Sequence, residues 1–299
     1  MKKQITAALA VLSFILIAGP PVALKIKPGN DWKAVGAGRY SLPKTGGIGG
    51  LGMRPILKTN TFYELSWEAK SGDPTTDSAQ TMLKCQYAIY PRFELVPQWN
   101  KCRRFFFSGD KDAAHLSIYT NEAKSFSVRN IRLKELAPGE PETIGWDFEH
   151  DNTIPNGWVR SWKQNKFTAG IEKTDFINGN KSMALTKGPD SRASVDSPVF
   201  PMTRGAKYRI TFWAKGSEKG ALLFLFNAYN WNHVGGHPRN IVRMNLGLEQ
   251  NWKKFTIDTV YPVDEAKFPA VKVPMANLVF CSKLPKVWID DISVTRVDE

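Results

Sequence analysis

The sequence predicts an all-β protein in which two tandem jelly-roll β-sandwich modules follow an N-terminal signal segment. A chain of 299 residues suits two domains of ordinary size better than one. Short segments of alternating apolar and polar residues are separated by glycine- and proline-containing turns, a pattern typical of sandwiches and jelly rolls. Outside the first residues there is no sustained helical periodicity. A third observation, an internal repeat, predicts two copies of one module.

The repeat is clearest in two strand-like segments, residues 62–72 (FYELSWEAKSG) and 207–217 (KYRITFWAKGS). Both alternate with period two, so each is predicted to be a half-buried strand. The aligned pairs are Tyr63 with Tyr208, Leu65 with Ile210, Trp67 with Phe212, Ala69 with Ala214 and Lys70 with Lys215.

Two further correspondences follow in the same order. Trp99 precedes a basic stretch and three phenylalanines, and Trp252 precedes a similar basic and aromatic segment. Residues 126–136 then match residues 287–297. Between the copies, the segment APGEPET (137–143) has the composition of a linker. The predicted organisation is a signal peptide at 1–23, a divergent jelly-roll module at 24–136, a linker at 137–144 and a second jelly roll at 145–299.

The first residues are typical of an export signal. Lys2 and Lys3 precede an apolar run from Ile5 to Gly19, which is short for a bilayer span. We expect cleavage near Ala23 and a secreted or cell-surface protein, with an uncleaved anchor as the alternative. The formal net charge of +13 is spread over both halves and favours anionic partners, such as acidic polysaccharides, over nucleic acid. A solvated basic surface without a specific partner is the other interpretation.

The three cysteines fit no metal-binding pattern. Cys85 and Cys102 are close enough in an exported chain to form a disulfide, although two separate buried thiols are also compatible with the sequence. Cys281 lies in an apolar run and is interpreted as a small buried hydrophobic residue.

Residues 145–299 resemble the family 4/9-type carbohydrate-binding modules, which have the galactose-binding-like jelly-roll fold. The first half matches only the central and closing strands and has Arg129-Asn130 where an acidic pair is expected. The motifs of the second half occur in the family's order: Asp147-Phe148-Glu149, Pro155 with Gly157-Trp158, Gly179–Leu185, Tyr208–Lys215, Trp252–Phe255 and Ile289–Ile292.

The resemblance implies a structural calcium ion between the opening and closing strands. Its matching ligands are Glu149, Asp290 and Asp291, and one of the two aspartates is expected to point elsewhere. The alternative is a solvated acidic rim without a metal.

Sugar binding needs exposed aromatic rings with polar neighbours. The segment 227–240 has this composition, and we predict that Tyr229 and Trp231 stack on the ligand. Asn230, His233 and Arg239 are the predicted polar partners. Aromatic rings packed under a long loop are an equal alternative. Trp162 is a weaker candidate. The remaining aromatics are interpreted as packing residues: Trp67, Trp99, Trp158, Phe212, Trp252 and Trp288.

The resemblance implies a non-catalytic protein that binds a polysaccharide. The N-terminal segment adds the expectation of export, and the positive net charge adds a preference for acidic glycans. The alternative is a structural or surface-assembly protein whose jelly rolls make protein contacts. We do not expect an enzyme, because His233 and His237 lie in a glycine-rich stretch that does not suit a helical zinc site, and no nucleophile elbow or phosphate loop occurs. We also expect no nucleic-acid partner and no membrane contact beyond the possible anchor.

Overall fold

The computed structural model is all-β over the residues it describes, which are 26–28, 33–34, 40–42, 49–71, 79–84, 92–110, 112, 116–120, 126–160, 168–188, 192–228, 239–265 and 274–297. In these ranges no helix is long and apolar enough to cross a membrane. The strands are β1 (Ile26–Pro28), β2 (Lys33–Ala34), β3 (Tyr40–Leu42), β4 (Gly49–Met53), β5 (Phe62–Ser71), β6 (Ala79–Lys84), β7 (Arg92–Leu95), β8 (Asn100–Phe107), β9 (Leu116–Thr120), β10 (Phe126–Glu135), β11 (Thr143–Trp146), β12 (Val159–Arg160), β13 (Ala169–Glu172), β14 (Ser182–Thr186), β15 (Ala193–Asp196), β16 (Phe200–Pro201), β17 (Lys207–Gly216), β18 (Gly220–Ala228), β19 (Arg239–Leu248), β20 (Lys253–Val260), β21 (Met275–Ser282) and β22 (Lys286–Arg296).

The strands form four antiparallel sheets, two in each half of the chain. In the first half, sheet 1 has the order β1-β4-β9-β6-β7 and sheet 2 the order β2-β3-β10-β5-β8. In the second half, sheet 3 has the order β13-β14-β22-β17-β20 with β11 added beside β22, and sheet 4 has the order β12-β15-β21-β18-β19 with β16 added beside β21. The predicted pair of jelly-roll sandwiches is confirmed.

The sandwich of the second half is held together by aromatic rings from both sheets. Phe212 on β17 lies 5.4 Å from Phe224 and 5.1 Å from Phe280, measured between ring centroids. All three are fully buried. Because β17 belongs to sheet 3 while β18 and β21 belong to sheet 4, these contacts join the two layers. Trp158 is also fully buried, so its interpretation as a packing residue is confirmed.

The internal repeat predicted from the sequence is a repeat of topology. β5 lies between β10 and β8, and β17 lies between β22 and β20. These are the three pairs of segments that the sequence aligned. Both central strands bury every second side chain, as the period-two pattern predicts.

The repeat extends to a β-bulge at the same position in both closing strands. The pairing of β10 with β5 shifts between Arg129 and Arg132, and the pairing of β17 with β22 shifts between Thr211 and Trp213. The extra residues are Asn130 and Asp291, with φ of 53° and 49°. Asn and Asp tolerate this left-handed conformation better than other non-glycine residues, which explains the residue types found there.

A lysine–tryptophan pair also recurs. The Lys70 Nζ atom lies 5.3 Å from the ring centroid of Trp99, and the Lys215 Nζ atom lies 5.5 Å from that of Trp252. Lys215 additionally lies 4.9 Å from the ring of Trp288 and forms an ion pair with Asp175. These tryptophans are therefore held at the sheet surface by cations, which agrees with their interpretation as packing residues.

The second module begins slightly earlier than its predicted start at residue 145. Thr143 and Ile144 already belong to β11 and pair with β22, so this strand begins inside the segment predicted as linker. Cys102 is buried in the core with a free thiol, whereas Cys85 lies outside the described residues, so the pairing of these two cysteines stays a prediction. Burial raises the pKa of the Cys102 thiol well above its ordinary value.

Candidate functional site

The outer face of sheet 4 is the strongest candidate for a binding surface. On β18, Leu222, Phe224 and Phe226 point into the core. The strand alternation therefore turns Leu225 and Asn227 to the opposite face. β21 pairs with β18 so that Asn277 stands opposite Asn227.

Three asparagines lie side by side across this face. Asn227 pairs with Asn277 on one side and with Asn240 of β19 on the other. Asn227 and Asn277 are each only 3% exposed although they do not belong to the apolar core, whereas Asn240 is exposed. Directly opposed residues on one face have side chains about 5 Å apart. The row therefore concentrates amide groups in one place.

The side-chain carbonyls of the two buried asparagines are unsatisfied within the described ranges. Among the described residues, neither the Oδ1 atom of Asn227 nor that of Asn277 has a hydrogen-bond partner. Leaving a buried acceptor unsatisfied costs about 1–3 kcal/mol, and such groups are uncommon in native proteins. Two of them on neighbouring strands, facing one side, are the kind of acceptors that ligand hydroxyl groups would satisfy.

The next row of the same face is apolar in its middle and charged at its ends. Val279 pairs with Leu225 and with Asp196, and Leu225 pairs with Arg243. Val279 is nearly buried and Arg243 is exposed. An apolar strip beside a row of amides offers surface both for the C–H face of a ring and for its hydroxyls.

The predicted sugar-binding residues fall mostly outside the described residues. This applies to Tyr229, Asn230, Trp231 and His233 in the connection between β18 and β19, and to Trp162. Arg239 is the first residue of β19 and pairs with Ala228. The asparagine row thus lies on the strand ends that the 229–238 segment connects. The predicted roles of these six residues stay predictions.

Of the predicted metal ligands, Glu149 lies against the turn that precedes β14. Its Oε1 atom accepts hydrogen bonds from the backbone N–H groups of Asn180 (2.8 Å) and Lys181 (3.0 Å). Gly179, at the centre of this turn, has a φ of 65°, and a Cβ atom there would collide with the Glu149 carboxylate. The carboxylate and the turn therefore determine each other's position.

Of the two aspartates, Asp290 is the more deeply buried. It is fully buried, and its Oδ2 atom accepts from the N–H groups of Ile177 (3.0 Å) and Asn178 (3.4 Å). Burial, partly offset by these hydrogen bonds, raises the pKa of Asp290 to about 6. Asp291 is half-buried and accepts from the side-chain amide of Asn178.

All three acidic side chains thus contact one turn, residues 177–181, but not as an ion-binding group. A calcium ion requires about six to eight oxygen ligands. Here Glu149 and Asp290 are occupied by backbone N–H groups, and within the described ranges no cluster of three His, Cys, Asp or Glu side chains is arranged to hold a metal. The set does not fit calcium, and the prediction that the protein binds calcium stays untested.

Sequence reasoning missed Asn277 and did not separate Asn227 from its aromatic neighbours. Asn277 lies in the largely apolar run MANLVFCS, where an amide between apolar residues was the available signal. Its significance depends on being opposite Asn227, and cross-strand register is not readable from one sequence.

Comparison with known proteins finds similar folds at low identity. No protein-family model and no curated sequence matches the chain. A similar structure is the tandem of two family 22 carbohydrate-binding modules from Paenibacillus barcinonensis Xyn10C, at 12% identity over 94% of this chain and 98% of that one, with a TM-score of 0.41.

Two single modules are also similar. The first module of that tandem, described as xylan-binding, matches at 13% identity over 52% of this chain and 94% of its own length, with a TM-score of 0.38. A family 61 module solved with β-1,4-galactotriose matches at 19% identity over 50% and 94%, with a TM-score of 0.35. At these identities and TM-scores the likenesses carry no argument about a ligand.

Proposed function

We propose that this protein binds a polysaccharide without cleaving it, on the outer face of sheet 4. The observation that carries the proposal is the pair of buried Oδ1 atoms on Asn227 and Asn277, which have no donor within the described part of the chain. Sugar hydroxyls are donors of the kind that would satisfy such acceptors, and the neighbouring Leu225–Val279 strip is apolar. The aromatic segment 229–238 begins next to the same strand end and would supply the stacking rings.

The preferred ligand in this proposal is an acidic glycan, met outside the cytoplasm. The support is the net charge of +13, the exposed Arg243 on the proposed face and the apolar segment that begins the chain. Charge of this kind raises the encounter rate with anionic polymers and weakens with added salt.

Affinity electrophoresis tests the proposal. The panel contains xylan and β-1,4-galactan, the glycans associated with two similar structures, together with an acidic polysaccharide such as polygalacturonate. Retardation of the protein by at least one glycan is expected, without release of new reducing ends. The variant Asn277→Ala should lose the retardation, whereas Thr256→Ala, an exposed change on sheet 3, should keep it.

Two results would reject the proposal. Unchanged mobility on every glycan would favour the alternative of a protein-contact module. Retardation that survives Asn277→Ala and Asn227→Ala together would move the binding site away from sheet 4.

A further inference from the structure

We infer that the ammonium group of Lys181 takes the place of a structural metal ion in the second module. Its Nζ atom donates hydrogen bonds to the backbone carbonyl of Glu149 at 2.7 Å and to that of Asp151 at 2.6 Å. Both contacts are at the short end for charge-assisted hydrogen bonds, which are about 2.7–2.9 Å. A single cation is thus held by two carbonyl oxygens of the loop that follows β11.

The side chain of Glu149 also contacts the backbone of Lys181. The Glu149 carboxylate accepts the backbone N–H of Lys181 itself, at 3.0 Å. Residue 149 therefore contacts residue 181 twice, once through its side chain and once through its backbone carbonyl. These contacts tie the 149–151 loop to the 177–181 turn with groups that the chain itself supplies.

This arrangement is incompatible with a divalent ion at the same oxygens. A calcium ion would need about six to eight oxygen ligands around it, and the ammonium group of Lys181 already occupies two carbonyl oxygens of this loop. A second cation at hydrogen-bonding distance from the same oxygens would also repel the ammonium. The carboxylates of Glu149 and Asp290 accept hydrogen bonds from backbone N–H groups.

The consequence is a module whose opening loop is fixed without metal. That loop leads into β12 at the edge of sheet 4 and lines a cleft of about 560 Å³ against the first module, through residues such as Asp151 and Asn156. The inference concerns stability and does not depend on the proposed glycan binding.

Calorimetric unfolding of the full chain tests it. The melting temperature of the unmodified protein should change by less than about 1 °C between excess EDTA and millimolar Ca²⁺. The variant Lys181→Met keeps an unbranched side chain one atom shorter but loses the charge and both hydrogen bonds, and its transition for the second module should fall by about 4 °C or more. Lys173→Met, at an exposed lysine of the same connection, is the matched control and should leave the transition in place.

Two outcomes would overturn the inference. One is a fall of several degrees for the unmodified protein in EDTA that Ca²⁺ reverses, since that would identify a resident metal. The other is a Lys181→Met variant as stable as the Lys173→Met control. If Lys181→Met does not fold, titration of Ca²⁺ into the chelator-treated unmodified protein decides, and stoichiometric heat of binding that comes with a raised melting temperature would refute the inference.

Discussion

Replacing Asn227 by leucine tests separately how this residue affects folding stability and how it affects glycan affinity. Leucine has nearly the shape of asparagine but no polar atoms, and it suits the neighbouring Leu225–Val279 strip. The buried Oδ1 atom of Asn227 has no donor among the described residues, and such a group costs about 1–3 kcal/mol. We therefore expect Asn227→Leu to raise the stability of the folded protein by about 1 kcal/mol, allowing for the loss of the side-chain N–H groups.

The same change should weaken glycan binding. A hydrogen bond from a ligand hydroxyl to a buried carbonyl contributes about 0.5–1.5 kcal/mol net, so its loss lowers affinity by about 2- to 10-fold. Chemical denaturation measures the first effect, and affinity electrophoresis or calorimetry with the glycan that binds measures the second. Asn245→Leu, at an exposed position of β19, is the control for an added apolar side chain.

The refuting result is a variant that is less stable by 1 kcal/mol or more while its affinity is unchanged. That combination would mean that the amide of Asn227 serves the fold and not a ligand. A variant that gains stability and loses affinity would show that this part of sheet 4 is kept polar at the expense of stability, as functional sites commonly are.

Two more predictions concern the turn before β14. Folding raises the pKa of Asp290 from 3.8 to about 6, so the folded protein binds this proton more tightly than the unfolded chain does. The stability that comes from this proton is therefore present at low pH and is lost as the pH increases through 6. We expect unfolding free energy to be about 1 kcal/mol lower at pH 7 than at pH 5 in denaturant titrations, and Asp290→Asn to flatten this dependence; an unchanged slope in that variant would contradict the assignment. Gly179→Ala should destabilise the second module by about 1–3 kcal/mol, because it combines a positive φ with a collision against Glu149. Gly188→Ala, where a Cβ atom would make only ordinary contact, is the control, and equal melting temperatures for the two variants would show that the turn is not constrained.

The fold was predictable because its signals are local and repeated. A period of two in residues 62–72 and 207–217 predicts half-buried strands from each segment alone. Because three matched segments occur in the same order in both halves, the sequence predicts the same arrangement of these strands in each half. The neighbouring strands β10-β5-β8 and β22-β17-β20 confirm this prediction. The bulge in the closing strands was not predicted, although Asn130 and Asp291 are residue types that tolerate the positive φ found there.

The candidate site was less predictable because it depends on distant neighbours. Glu149 and Asp290 were assigned to an ion by their residue type, but their role depends on which groups approach them. Those groups are backbone N–H donors of residues 177–181. Nearly every residue has such a donor, so no sequence motif identifies the ones that approach a carboxylate. Lys181 follows the same logic, since its sequence position says nothing of the two carbonyls that it reaches across about 30 residues.

The two modules show how one bulge supports two different chemistries. In the second module the residue before the bulge is Asp290, which is buried and accepts a hydrogen bond from the turn that Lys181 completes. In the first module the corresponding residue is Arg129, which pairs with Glu68 at 2.6 Å and lies 4.1 Å from the ring centroid of Trp99. The same position thus holds a buried anion bound to a turn in one module and a cation packed on an aromatic ring in the other. The backbone of the repeat therefore persists without its acidic pair, and the loop anchored by Glu149 and Lys181 is a property of the second module's side chains, not of the shared topology.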